Sequence, residues 1–168
     1  MKVIMLNKVA AANSDTIYYN VDRKLTWNDF QGAPVMNHFG GAVTASGFAF
    51  NADMNMVDSK VNLNIYVYTF FDKHASWKKP TVNSAYHLLH EQHHFDITRL
   101  SAAKLCEDYR DANFTLVNYQ QLLSSIFDKV FKENSDLQNQ YDKETDHSIN
   151  AALQQKWNNR ITLAVKTL

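Results

Sequence analysis

Hydrophobic and polar positions alternate most cleanly over residues 61–71. Val61, Leu63, Ile65 and Val67 fall on one side, and Asn62, Asn64, Tyr66 and Tyr68 on the other. A period of two predicts a strand with one face packed on helices and a wetter face looking toward a cleft. Weaker strand signals precede it at 17–21 and 42–50. The second opens at Gly40 and Gly41 and is rich in small residues that admit close neighbours. Residues 1–16 are ambiguous, a short strand leading into a polar link. Residues 51–58 read as a polar turn. Leu25 to Pro34 reads as an irregular loop anchored by Trp27 and Phe30 and punctuated by Gly32 and Pro34.

From residue 85 the period changes. Leu88, Leu89, Phe95, Ile97, Leu100, Ala103 and Leu105 predict a buried helix over about 85–109, with Asn83 or Ser84 as its cap. Val117, Leu122, Leu123, Ile126, Phe127, Val130 and Phe131 predict a second over 115–132. The polar run 132–136 should break or weaken it, with a resumption over 137–141. Ile149, Leu153, Trp157, Ile161 and Ala164 predict a third, from Asp146 or His147 to about Ala164, capped by Thr145. Strands first and helices afterwards give an α+β class. At 168 residues the chain reads as one domain, 1–168, large enough for a core without staples.

Composition narrows the function classes. Lys plus Arg equals Asp plus Glu at 17 each, so no bulk field draws the chain to nucleic acid or an anionic membrane. No stretch is long enough to span a bilayer. Cys106 is the single cysteine, which excludes an intrachain disulfide and a thiolate zinc cluster, and it reads as core filler. Much of the polar surface is Asn, Gln, Ser and Thr, a lean toward an extracytoplasmic protein. The opening Met1 to Leu6 is too short for the apolar region of a signal peptide.

The chemistry concentrates at His90-Glu91-Gln92-His93-His94, an H-E-x-x-H inside the first predicted helix. Residues four apart share a helix face, so His90 and His94 can reach one metal ion, and Glu91 can serve as general base. A catalytic zinc site takes three protein ligands. His147 is the first candidate for the third, with Glu144 or Asp142 as alternatives. His93 lies about 100° from His94 and reads as a supporting or surface residue. His87 could line the cleft, while His38 and His74 have no spacing argument. Asp96 reads as a surface carboxylate or as a partner to a ligand imidazole.

Three blocks then carry a resemblance: Leu25 to Phe30 with Gly32 and Pro34, Leu89 to Ile97, and Tyr141 to His147. Together they resemble the DUF922 family of bacterial secreted zinc-dependent proteases. The resemblance implies a zincin-like domain, a small N-terminal β-sheet followed by a helical part carrying the H-E-x-x-H helix. It also implies Zn2+ held by His90, His94 and His147, Glu91 as base, and a secreted or periplasmic parent protein. Ser148 stands where many relatives carry glycine, a departure that touches local backbone geometry.

The expected function is zinc-dependent hydrolysis of a peptide bond in a peptide or protein substrate. Glu91 moves the proton from water to the leaving amine, and Tyr141 or His93 is expected to stabilise the oxyanion. A strand such as 61–71 could hold the peptide by backbone pairing. Two alternatives compete: a catalytically silent zinc-bearing binding domain with its cleft blocked by the Trp77 loop, and a non-proteolytic metalloamidase with a short closed pocket.

Overall fold

The computed structural model describes residues 1–11, 14–57 and 60–168. It has the expected α+β class, with strands first: β1 (Lys2–Met5), β2 (Thr16–Tyr18), β3 (Ala42–Val43), β4 (Ser46–Val57), β5 (Lys60–Asp72) and β6 (Trp77–Lys78). A single 3-10 turn, Trp27–Asp29, interrupts the loop after β2. Three helices follow: α1 (Ala85–Asp111), α2 (Tyr119–Thr145) and α3 (Ala151–Lys166). Among the described residues no helix is long and apolar enough to cross a membrane.

β5 organises the main sheet because its alternation is real. Leu63, Ile65, Val67, Thr69 and Phe71 are buried, while Asn64, Tyr66 and Tyr68 are half-buried on the opposite face. β4 pairs antiparallel with it from Ser46↔Phe71 to Val57↔Lys60. On the other edge β1 pairs parallel at residues 64–67 and β2 antiparallel at 70–72. Both edges of its second half are therefore taken, which corrects the expectation that β5 holds an extended peptide. The Asn and Tyr face does not look toward the cleft either. The N-terminal segment covers it, with Lys8 Nζ 3.4 Å from the Tyr68 ring centroid and Tyr18 edge-on to Tyr68.

Three boundaries differ from expectation, the first two because a tertiary contact outweighs local sequence and the third because a nearer cap takes over. Residues 51–57 extend β4 rather than turning, since a full-length partner supplies ladder hydrogen bonds that weak propensity does not predict. Asp58 and the link around residues 12–13 lie outside the described residues. α2 runs unbroken through 132–136, where Asn134 is buried and accepts from Ser101 Oγ at 3.0 Å, and Lys132 pairs with Asp136 at 2.6 Å. α3 starts at Ala151 with Asn150 as its cap, accepting from the Leu153 backbone N–H at 3.1 Å. Thr145 belongs to the last turn of α2.

The connection between α2 and α3 is strained. Asp146, His147 and Ser148 all take positive φ, at 49°, 48° and 74°. Left-handed backbone costs an L-residue roughly 1–2 kcal/mol, so three in a row need outside support. The Ser148 carbonyl receives one such support, the Tyr86 hydroxyl at 2.7 Å. This is the position at which the resemblance leads one to expect glycine.

α1 is the central helix. Its inner face packs on β5 and α2 through Ala102, Leu105, Cys106 and Tyr109, which join Leu63, Ile65 and Val67 in one core. Cys106 is thus core filler, as expected. Near its N-terminal end Phe95 packs with Ile17, Tyr19, Leu25, Phe30 and Phe71. A full burial of each such aromatic contributes about 1.5–3 kcal/mol. Ser84 caps α1, accepting from the His87 backbone N–H at 3.2 Å.

The 25–32 segment is the brace of this helix. Leu25 N–H donates to Gln92 Oε1 at 2.8 Å, and Gln92 Nε2 donates to Asp96 Oδ1 at 3.0 Å. Asp29 shapes the segment itself, accepting from the Thr26 N–H at 2.7 Å and from Arg23 at 2.8 Å. Gly32 lies so close to the His74 carbonyl that a Cβ there would collide with it. Trp27 packs on Phe30, with ring centroids 5.1 Å apart, in a structural role.

Candidate metal centre

α1 carries His90 and His94 on one face, and the two rings meet edge to face with centroids 4.8 Å apart. Each ring is fixed through its Nδ1. His90 Nδ1 lies 2.9 Å from Gln154 Oε1 of α3, and His94 Nδ1 lies 2.6 Å from Gln138 Oε1 of α2. An amide oxygen can only accept, so both rings carry their proton on Nδ1 and turn Nε2 inward. The glutamines are oriented in turn, since Gln154 Nε2 donates to Tyr141 and Asn158, and Gln138 Nε2 to the His94 carbonyl.

Asp142 completes the cluster. Its Oδ1 lies 3.2 Å from His90 Nε2 and 3.0 Å from His94 Nε2, and the two Nε2 atoms lie 3.2 Å apart. Three ligands at about 2.0–2.1 Å from a tetrahedral zinc stand roughly 3.3 Å from one another. The triangle is therefore close to the size a bound ion requires, and His90, His94 and Asp142 can hold a metal ion.

The alternatives for the third position separate cleanly. Glu144 lies two residues past Asp142, about 200° round α2. Its carboxylate accepts from Trp157 Nε1 at 2.8 Å and from Gln140 at 2.7 Å, away from the triangle. His147 is close but is not one of the three converging groups. Its Nδ1 stands 3.5 Å from Asp142 Oδ1 at the lip of the cleft, with Phe39 edge-on to its ring.

Glu91 is buried beside the triangle, and its Oε2 accepts from Thr44 Oγ1 at 2.7 Å. This hydroxyl fixes one of the two carboxylate oxygens. The cleft above has a volume of 250 Å3 and is walled by residues 40–44 on one side and by His90, Glu91, His94 and Asp142 on the other. His38 and His87 line it as well. His74 does not. It lies 3.0 Å from Asp15 at the surface.

Tyr141 and His93 stand elsewhere than an oxyanion role requires. The Tyr141 ring stacks on His90 with centroids 4.7 Å apart, and its hydroxyl donates to the His90 carbonyl at 3.3 Å. Burial pushes that hydroxyl far above its ordinary pKa. It supports the His90 ring and does not line the cleft. His93 points to the far side of α1, its Nδ1 3.0 Å from Asp96 Oδ2. Asp96 also accepts from Tyr19 at 2.8 Å, so it braces the helix and touches neither ligand ring. Trp77 is buried against His38 and leaves the cleft unblocked.

The electrostatics of the cluster favour a proton on His94. Burial would lower the His94 pKa, but the hydrogen bond and charge of Asp142, with the charge of Glu91, raise it from 6.5 to about 9. Burial works against the Asp142 carboxylate, yet its hydrogen bonds from His90 and His94 hold it well below the usual range. The stability from the His94 proton is complete below about pH 6.5 and is lost as pH rises through about 9. A metal ion must displace that proton. Affinity for a metal ion should therefore climb with pH up to about 9, with about one proton released per ion at pH 7. Calorimetric titration in buffers of different ionisation enthalpy measures this. Binding without proton release would contradict the assignment of His94.

Thr44, Gln138 and Gln154 were not evident from sequence. Gln138 alone left a signal, lying four residues before Asp142 and so on the same face of α2. Comparisons with known protein families, curated proteins and solved structures return no match for this chain.

Proposed function

We propose that the protein is a zinc-dependent hydrolase of zincin type that cleaves amide bonds, with peptides as its substrate class. The single observation that carries this is the 3.0–3.2 Å triangle of His90 Nε2, His94 Nε2 and Asp142 Oδ1 in one cleft with the Glu91 carboxylate. Two imidazoles and one carboxylate suit zinc better than a hard cation such as calcium or magnesium. The resemblance of the three sequence blocks supports the same reading, including export of the parent protein.

Zinc held there would supply Lewis-acid polarisation of the amide carbonyl and a more acidic water. Glu91 takes a proton from water on its unhindered oxygen and delivers it to the leaving nitrogen. Thr44 keeps that carboxylate from rotating. Gln138 and Gln154 keep both Nε2 atoms facing the cleft. His147, on the lip beside Asp142, orients the substrate carbonyl in place of Tyr141 and His93, which are turned away. The backbone at Ala42 to Thr44 borders the cleft and offers the peptide an alternative to β5.

The 250 Å3 cleft favours one second reading, a metalloamidase acting on compact amides. Turnover of a mixed peptide library against a set of small N-acyl amides, with zinc-loaded and chelated protein, tests both. Zinc-dependent cleavage is expected, with internal peptide bonds as the preferred target. Cleavage that survives complete chelation overturns the metal assignment, and exclusive turnover of small amides overturns the peptidase.

A further inference from the structure

We propose that the face of α1 turned away from the metal centre carries a second binding site, for an amphipathic acid with an apolar chain and a carboxylate head. At 100° per residue, Gln92, Asp96 and Arg99 lie opposite His90 and His94 on this helix. Arg99 reaches into the wall of a 650 Å3 cavity that it shares with Lys8, Lys166 and Asp22. Its guanidinium carbon stands 5.4 Å from the Tyr19 ring centroid. Among the described residues it has no carboxylate partner, and its Nη1 is shielded from solvent without a hydrogen bond.

A half-buried guanidinium without an anion is a costly arrangement in a finished fold. Its planar fork is the group best matched to a carboxylate. Lys166 adds positive charge to the same wall against the side-chain carboxylate of Asp22, while the Lys8 ammonium is held over the Tyr68 ring. No carboxylate is among the charges that act on Arg99, whose pKa burial alone pulls down.

The apolar half adjoins it. A 420 Å3 cavity, walled by Leu25, Leu88 and Leu89 among others, shares Val21, Val165 and Lys166 with the basic cavity. His93 lines it, and His93 Nε2 is a second buried nitrogen without a partner. The two cavities adjoin between the 19–25 segment and the end of α3, one basic and the other mostly apolar with Lys24, Gln92, His93 and Asp96 in its polar lining. Asp96 is already engaged by Tyr19, Gln92 and His93. Neither cavity shares a residue with the metal-centre cleft. A carboxylate head sits on Arg99 and its chain lies over Leu88 and Leu89.

Calorimetric titration of the full chain with decanoate, decanol and acetate tests this, each with and without zinc. Decanoate should bind at least tenfold more tightly than decanol or acetate, and equally well in zinc-loaded and chelated protein. Arg99→Met should bring decanoate down to the affinity of decanol without lowering the thermal midpoint. Val165→Trp, which fills the shared wall, should weaken both long-chain probes alike. Equal affinity for decanoate and decanol overturns the proposal, as does unchanged decanoate binding in Arg99→Met. Loss of binding on chelation would send the carboxylate to the metal centre and overturns it too. Should Arg99→Met not fold, the wild-type comparison and Val165→Trp decide alone.

Discussion

Asp142→Asn should lower zinc affinity by more than about a hundredfold, while His147→Ala should leave it nearly unchanged. A hundredfold is the upper end of the loss seen when a partner behind a ligand is removed, so a ligand itself must cost more. The asparagine is close to isosteric, which confines the change to charge and donor type. It removes the one anionic oxygen that meets both Nε2 atoms within 3.2 Å. His147 stands 3.5 Å from that same oxygen and belongs to a strained connection. Its loss should instead lower turnover at constant metal content. Metal content by mass spectrometry after dialysis, on both variants beside wild type, separates the roles. Loss of zinc in His147→Ala alone would move the third ligand back to that histidine.

How much of this could be seen in the sequence depends on how local each cause is. The H-E-x-x-H helix rests on spacing within one element and is legible in the chain, and its cap is legible as one of Asn83 and Ser84. The alternation of Val61 to Val67 is legible for the same reason. The extension of β4 through residues 51–57 is not, because its Asn, Asp and Met positions gain their strand only from β5 opposite. The break expected at 132–136 fails through a contact with Ser101, thirty-three residues away.

The third member of the cluster shows the limit most sharply. Choosing His147 over Asp142 requires a helix that starts near residue 146, and choosing Asp142 requires α2 to continue to Thr145. The left-handed run at 146–148 ends α2 at Thr145, and no glycine there announces it. Once α2 continues, its geometry turns Gln138 and Asp142 toward α1 and carries Glu144 round to Trp157. The sequence block from Tyr141 to His147 thus serves three tasks. Tyr141 packs under a ligand ring, Asp142 joins the triangle, and His147 borders the cleft. Similarly, the block from Leu25 to Phe30 holds the far side of the same helix through Gln92, at a distance of 67 residues in sequence.

Glu91→Gln should abolish measurable hydrolysis, a fall of about 10²–10⁴-fold in kcat, with zinc content and thermal stability close to wild type. The substitution keeps the shape of the side chain and its acceptor toward Thr44, because an amide oxygen can take that hydrogen bond. It removes the capacity to carry a proton, which is the only task assigned to Glu91. Zinc affinity should persist because Glu91 is not among the three groups that converge on the ion. Thr44→Val supplies the complementary case: it retains the base and loosens it, so a smaller loss in kcat with unchanged KM is expected. Turnover at the wild-type rate in Glu91→Gln would remove the carboxylate from the chemistry, whatever the metal content. Loss of zinc in that variant would make Glu91 a ligand, and the triangle with Asp142 would then no longer describe the centre.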